Sequence, residues 1–368
     1  MMETQEKKYN LDALYINVTA RCNLGCRHCW VNSGYLNKTE RKNTELTPRG
    51  IISIIENALP LGLRTIKLTG GEPLLRNDLE YIYDFALKKD IRIIIETNAT
   101  LINKKTARLL KKYKISFISA SLDGYNASIN DSFRGVKGAF AKAVKGIINL
   151  TEAGLLPQVI TVLHRENAKN FVELTALFSS LGIKDVKINL ISPIGKGNTI
   201  YKQKTGLTIK EVLHFRDGTL AAVKKKFSGR IILNLPPAFL DFKAAGIIKP
   251  CNIFGTLGIL PNGYVSICGI GFSVKELLFG KLGFEGMELK EIWCHHKKLQ
   301  ELRQNLPDRL EGVCGQCIFK KACLGFCRAE SYYRNKNFYS PFWFCQEAYK
   351  QGLFPETRLI KKEDLWRR

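Results

Sequence analysis

The chain has 368 residues, 45% of them apolar, which is room for one large or two smaller domains with a sizeable core. Net charge is +24, yet the lysines fall at helical spacing (Lys104, Lys105, Lys111, Lys112 and Lys114; Lys224 to Lys226), as on solvated helix faces, and no stripe interleaves basic with aromatic residues. Nucleic acid is therefore not the expected partner. The polar stretch from Met1 to Asn10 is no signal peptide, and no run of about 18 apolar residues marks a membrane span, so the expectation is a soluble, cytoplasmic protein.

In chain order, Leu14 to Val18 reads as a strand. Pro48 to Asn57 reads as a helix, with Thr47 as N-cap and Pro48 at its first position. Thr65 to Leu68 is a strand and Asp78 to Lys88 a helix; Ile91 to Glu96 is a strand and Lys104 to Tyr113 a helix. Phe117 to Ser121 is a strand, and Ala139 to Ala153 is a helix stopped by Gly154 as a left-handed cap. Val159 to Leu163, Ala168 to Leu181, Val186 to Leu190 and Ile209 to Lys226 continue the alternation. Six strand–helix units imply a parallel sheet, either curled into an incomplete barrel or open and doubly wound. In both, ligands gather at the carboxyl ends of the strands. The unusual residues fall there: Cys22 to Cys29, Gly70-Gly71-Glu72-Pro73, Thr97-Asn98 and Ser121-Leu122-Asp123-Gly124. Past Leu235 the rhythm breaks at Pro236-Pro237, and the rest is cysteine-rich.

Eleven cysteines without an export signal point to metal or iron–sulfur ligation rather than disulfides. Three lie between Cys22 and Cys29 and the other eight lie past residue 250. Cys22-x3-Cys26-x2-Cys29 offers three thiolates directly after a strand. Three thiolates leave one iron of a four-iron cubane open, as a catalytic site needs; the alternative is a zinc site completed by His28. In Gly70-Gly71-Glu72-Pro73 the glycines let backbone approach a ligand and Glu72 is able to receive an ammonium group, though a tight turn has the same composition.

Together the two motifs resemble the radical S-adenosylmethionine (SAM) superfamily over residues 10–230. That resemblance implies a partial (β/α)6 TIM-like barrel, within the α/β class. It implies an open iron that binds the amino and carboxylate groups of SAM. Gly70, Gly71, Glu72 and Pro73 would hold the methionine amino group, and Ser121 the ribose. Arg134 would approach the carboxylate, and backbone at His28 and Leu190 would line the adenosine. Reductive cleavage of SAM would give a 5′-deoxyadenosyl radical that abstracts hydrogen from an unactivated carbon.

The later cysteines, in the pattern Cys251-x11-Gly263-x4-Cys268, then Cys314-x2-Cys317-x5-Cys323-x3-Cys327 and Cys345, resemble the SPASM domain. A zinc ribbon over Cys314 to Cys327 is the alternative, and it leaves Cys251, Cys268 and Cys345 unexplained. The resemblance implies two auxiliary four-iron clusters: one on Cys314, Cys317, Cys323 and Cys345, the other on Cys251, Cys268 and Cys327. Whether Cys294 closes the second, or Cys294-His295-His296 is a surface turn, stays open.

The expected division is a barrel over 10–230, a linker over 231–249, the SPASM domain over 250–350 and a tail over 351–368. The cofactors expected are three [4Fe–4S] clusters and SAM. The function expected is a radical SAM maturase that crosslinks, excises or rearranges residues of a ribosomally made precursor peptide. The alternatives are sulfatase-type modification of a protein side chain, maturation of a haem or redox cofactor precursor, or a non-enzymatic metal or electron-transfer protein. Only 21 residues precede Cys22, so the expected partners include a separate leader-recognition protein, besides the peptide and a flavodoxin- or ferredoxin-type reductant. No general acid or base is assigned; Glu96, Asn98, His164 and Arg165 lie near strand ends.

Overall fold

The computed structural model describes residues 9–31, 45–242, 252–270, 274–283 and 288–360. Its frame is one ten-stranded sheet in the order β10-β9-β8-β1-β2-β3-β4-β5-β6-β7. Strands β1 (Ala13–Thr19), β2 (Thr65–Gly70), β3 (Arg92–Thr97), β4 (Phe117–Ser121), β5 (Gln158–Leu163), β6 (Asp185–Leu190) and β7 (Arg230–Leu233) all run parallel. The helices between them are α1 (Pro48–Ala58), α2 (Leu79–Lys88), α3 (Lys104–Lys112), α4 (Ala127–Arg134), α5 (Ala139–Glu152), α6 (Arg165–Lys169), α7 (Phe171–Ser180), α8 (Gly197–Lys202), α9 (Ile209–Phe215) and α10 (Ala221–Lys226). The sheet is a partial barrel: β7 and β10 are its two edges and do not pair.

Strand residues alternate between two environments. Leu14, Ile16, Ile66, Leu68, Ile93, Ile95, Ile118, Ala120, Val186 and Ile188 are sealed in the core. Burying each such side chain contributes about 1.5–3 kcal/mol. The opposite face carries Tyr15, Asn17, Lys67, Thr69, Glu96, Ser119, Ser121, Lys187 and Asn189, polar side chains interleaved with Ile94, Phe117 and Ile160.

The helix starts follow from their caps. Thr47 accepts from Gly50 N at 3.2 Å with Pro48 behind it, and Asn103 accepts from Thr106 N at 2.9 Å. Gly154 is left-handed after α5, as expected. The helix expected over 168–181 begins earlier, at Arg165, where Asn167 Oδ1 accepts from His164 N at 2.8 Å, and is divided into α6 and α7 at Asn170, which has φ −112° and ψ 35°. A π-helical turn at Arg216–Leu220 separates α9 from α10.

A seventh parallel strand, β7, runs into the residues assigned to the linker, and Pro237, Ala238 and Phe239 are buried, with Phe239 packed edge-on against Phe344 and Phe354 at 5.0 and 5.5 Å. The cysteine-rich part joins the same sheet. Its strand β8 (Thr256–Ile259) pairs in parallel with β1, from Ala13↔Thr256 to Ile16↔Ile259. Strands β9 (Tyr264–Ser266) and β10 (Leu278–Lys281) extend it antiparallel, around a turn in which Gly263 is left-handed. Helices α11 (Leu289–His295), α12 (Lys297–Asn305), α13 (Gly312–Gly315), α14 (Lys320–Cys323), α15 (Arg328–Asn335) and α16 (Trp343–Lys350) follow. Glu330 on α15 accepts from Ser192 Oγ, just after β6, and from Trp343 Nε1, each at 2.8 Å, and so fastens the two parts together again. The described part of the expected tail is also packed: Phe354 is buried, and Ile318 N donates to Arg358 O at 2.9 Å. Among the described residues no helix is long and apolar enough to cross a membrane.

Candidate functional site

The loop carrying Cys22, Cys26 and Cys29 follows β1 and is held by backbone after β2, at the end of α4 and beyond β6. Gly71 N donates to Thr19 O at 2.9 Å and Glu72 N to Arg21 O at 2.8 Å. Gly25 N donates to Arg134 O at 3.1 Å and Arg27 N to Phe133 O at 2.9 Å, at the end of α4. Lys196 N donates to Cys29 O at 3.0 Å, beyond β6. Gly70 and Gly71 are required by this contact: Gly70 has φ +127°, and a Cβ on either residue would collide with the carbonyl oxygens of Thr19 or Arg21.

Helix α4 was absent from the sequence expectations. Its segment, Ala127 to Arg134, is short and polar, but Asn126 caps it by accepting from Ile129 N at 3.0 Å and Gly135 ends it at φ +75°. It aims Arg134 at the cysteine loop. Arg134 Nε meets Asp123 Oδ2 at 2.6 Å, with side-chain exposures of 9% and 0%, and Nη1 reaches Cys26 Sγ at 3.7 Å. Burial pushes the Asp123 carboxyl up, but Arg134, His28 and a bond from Val162 N at 2.7 Å outweigh it and hold the group below the ordinary carboxylate range.

Glu72 is fully buried. Its Oε1 accepts from Thr97 Oγ1 at 2.7 Å and Leu74 N at 3.1 Å, and its Oε2 from Asn98 N at 2.7 Å. It therefore pins the turn after β2 to the end of β3, and the half-buried backbone of Gly70 and Gly71 is what this motif presents outward. Burial lifts its carboxyl to about 7 in spite of the three bonds. Pro73, behind it, starts a short 3-10 turn. Asn98 Nδ2 donates to Asn23 Oδ1 at 2.8 Å and lies 4.0 Å from Cys22 Sγ.

His28 stacks on Phe133 (centroids 4.5 Å apart, 13° between planes), and Phe133 stacks on His164 (4.0 Å, 21°). Burial lowers His28 to about 3 and lowers His164 as well, so both rings are neutral near pH 7. Ser121 and Leu190 end β4 and β6 at the same edge of the sheet. Thus His28, Gly70 to Pro73, Ser121, Arg134 and Leu190 all border the strand ends around the cysteine loop. Arg165 belongs elsewhere: it forms a half-exposed pair with Glu211.

The three thiols fit a metal cluster. Burial raises Cys22 to about 12 and raises Cys26, and the negative charges of the neighbouring cysteines add to both. A bound cation would remove that cost at Cys22 and at Cys26, where Arg134 offsets it only in part. Leu24 N donates to Cys22 Sγ at 3.4 Å, the kind of contact that supports a ligating sulfur.

Further down the strands Glu96, noted at a strand end, belongs to a charged group whose lysines the sequence did not single out. Lys67 Nζ meets Glu96 Oε1 at 2.8 Å, Thr69 Oγ1 donates to Glu96 Oε2 at 3.2 Å, and Lys67 lies over the Tyr15 ring at 4.4 Å. Glu96 is pushed up by burial, but Lys67 and Lys187 bring it below the ordinary range. Lys187 belongs to β6, three strands away from Glu96, so the wall is curved enough for opposite strands to interact. The signal in the sequence was a charge at alternate positions of otherwise apolar strands.

In the C-terminal part, Cys314, Cys317, Cys323 and Cys345 line one small pocket with Pro236, Val313 and Phe354. Phe342 N and Phe319 N donate to Cys314 Sγ and Cys317 Sγ, each at 3.4 Å. Among the described residues no three His, Cys, Asp or Glu side chains converge on one point. Four thiols around a volume suit a cluster whose irons occupy separate corners. Cys327 and Cys268 do not line this cavity, and Cys251 lies outside the described residues. Cys294 is not in a surface turn: it ends helix α11, and His296 behind it packs on Phe279 at 4.6 Å.

A model of the radical SAM superfamily matches residues 16–178, and one of an iron–sulfur cluster-binding domain matches residues 251–318. The chain is 29% identical over 337 residues to an AdoMet-dependent heme synthase of Oleidesulfovibrio alaskensis, covering 86% of this chain and 82% of that protein. It is 27% identical over 350 residues to the mycofactocin maturase MftC of Mycolicibacterium smegmatis, covering 94% and 85%. The fold is similar to that of Streptococcus suis SuiB bound to its precursor peptide SuiA, with a TM-score of 0.71, 18% identity, and coverage of 92% of this chain and 76% of that one.

Proposed function

We propose that this chain, which belongs to the radical SAM superfamily and carries a SPASM domain, is a maturase that modifies residues of a ribosomally made precursor peptide. The observation that carries the reading is the wall inside the partial barrel. Tyr15, Lys67, Glu96, Lys187 and Asn189, each only partly buried, offer donors and acceptors along three strands and into the opposite side. A peptide meets such a wall with an N–H and a C=O at every residue, whereas a flat macrocycle would leave many of these groups unpaired. MftC relatives, which align over 94–96% of the chain, support the same reading.

A four-iron cluster on Cys22, Cys26 and Cys29, together with SAM, supplies one-electron hydrogen-abstraction chemistry. The chain's own residues position it. Arg134, oriented by Asp123, presents a guanidinium beside Cys26 for a carboxylate. The turn at Gly70 and Gly71 presents backbone carbonyls for an ammonium group. The neutral stack of His28, Phe133 and His164 offers an uncharged aromatic edge, and Ser121 and Leu190 border the same strand ends. Cys314, Cys317, Cys323 and Cys345 would hold one auxiliary cluster; Cys268 and Cys327, with Cys251, would hold another. A reducing, cytoplasmic setting and an acidic flavodoxin- or ferredoxin-type reductant suit the thiols and the net charge of +24.

A second reading, action on a haem-type precursor, is favoured by the 29% identity to heme synthases. The two are separated by anaerobic reconstitution and measurement of 5′-deoxyadenosine. Stimulation by a candidate precursor peptide, with a mass change in that peptide, is the expected result. Stimulation by an iron–porphyrin precursor and by no peptide overturns it.

A further inference from the structure

Arg328 begins helix α15, directly after Cys327, and is 2% exposed. Its Nη1 donates to Phe338 O at 2.8 Å and Ser340 O at 2.9 Å, and its Nη2 donates to Gly325 O. All three partners are neutral carbonyls, and among the described residues no carboxylate pairs with it. A buried guanidinium without a counter-charge is costly, so something negative must offset it. The groups whose charge acts on it are Cys314, Cys327, Cys323 and Cys345; burial pushes the guanidinium's pKa down and these four raise it.

The backbone is shaped around this side chain. Leu324, Gly325 and Phe326 are three consecutive left-handed residues, at φ +53°, +73° and +60°, between Cys323 and Cys327. Left-handed leucine and phenylalanine are strained. A Cβ at Gly325 would fall on the Arg328 guanidinium, so this glycine is required by space as well as by φ. The turn that spaces two of the cysteines is also the turn that encloses the cation.

We infer that Arg328 is the counter-charge of the C-terminal cysteine site: a positioning residue whose fixed positive charge, beside Cys314, Cys323 and Cys345 on one side and Cys327 on the other, favours the reduced state of the clusters these thiolates would hold. When one electron enters such a cluster from the reductant, its negative charge grows by one. A buried cation stabilises that form more than the oxidised one and moves the potential upward. The inference rests on the reading that these cysteines bind four-iron clusters. Iron counting on the unchanged chain tests that reading separately.

The test uses the full chain with Cys22→Ala, Cys26→Ala and Cys29→Ala, so that only C-terminal clusters titrate. Iron content and reduction potential, followed by electron paramagnetic resonance, are compared for Arg328, Arg328→Lys and Arg328→Gln. Lysine keeps the charge but cannot span the three carbonyls; glutamine removes the charge. The expected result is full iron in both variants, a potential close to the parent's with lysine, and a clearly more negative one with glutamine. If glutamine loses iron while lysine keeps it at the parent potential, the charge is again what matters. A glutamine variant with full iron and an unchanged potential overturns the inference. So does a lysine variant that shifts as far as glutamine, or loss of iron in both, since either outcome leaves Arg328 only a structural brace.

Discussion

Replacing Glu72 with glutamine should change how stability depends on pH. The Glu72 carboxyl, fully buried, rises from its ordinary 4.5 to about 7. In the iron-free chain the folded state therefore holds this proton over a range in which the unfolded state has lost it. Between pH 4.5 and 7 the folded protein binds more protons, so stability falls as pH rises through that window, and the loss is complete above it. A tenfold change in proton affinity is worth about 1.4 kcal/mol, so the rise in pKa corresponds to about 3 kcal/mol. Glutamine fills the same space, still accepts through Oε1, and never ionises. The stability difference between Glu72→Gln and the parent should thus move by about 3 kcal/mol in the variant's favour from pH 4.5 to pH 7. Urea unfolding of the reduced, iron-free full chain at several pH values measures this, and other titrating groups cancel in the difference. Parallel pH profiles for the two proteins would refute the argument.

Asp123→Asn leaves the Arg134 guanidinium buried beside a neutral amide and should cost about 3–5 kcal/mol, read as a lowered urea midpoint; a cost under 1 kcal/mol would mean that the pair is not buried in solution. Gly70→Ala, at φ +127° against the Thr19 carbonyl, should cost at least about 1–3 kcal/mol and lower the melting temperature, and an unchanged melting temperature contradicts the close approach. Alanine at Cys22, Cys26 and Cys29 together should remove about four irons per chain and abolish SAM cleavage, so retained cleavage contradicts the assignment. Lys67→Met leaves the mostly buried Glu96 carboxylate without its cation, so stability should fall by about 1–3 kcal/mol while KM for the substrate rises; an unchanged KM removes the barrel wall from substrate binding.

The strands that the sequence made legible are those with long β-branched runs, such as Ile93 to Ile95 in β3, where core burial and intrinsic preference agree. Strand β7 was not, because Arg230–Leu233 is only four residues long and its neighbours are turns. Strand β8 gave no hint of its partner: pairing with β1, more than 230 residues earlier, is a tertiary choice that no local pattern encodes. Helix α4 lacked apolar periodicity and owes its existence to Asn126 and Gly135. The cysteines were legible because ligand spacing is a covalent property of the chain. Lys67, Lys187 and Arg328 were not, because a charged residue in a strand or after a cysteine acquires its role only when other strands and turns enclose it.

The pairing of β8 with β1 also orders events during synthesis. Strand β1 is complete at residue 19, and the strand that covers its outer edge starts at residue 256. At about 5–20 residues per second, that edge stays without its neighbour for roughly 12 to 50 seconds after β1 has been made. An uncovered parallel edge is a template for other chains. Each nascent polypeptide must therefore pass through an interval in which it depends on chaperones or dilution. A message cut short before residue 256 would release a product with its first strand permanently open to aggregation.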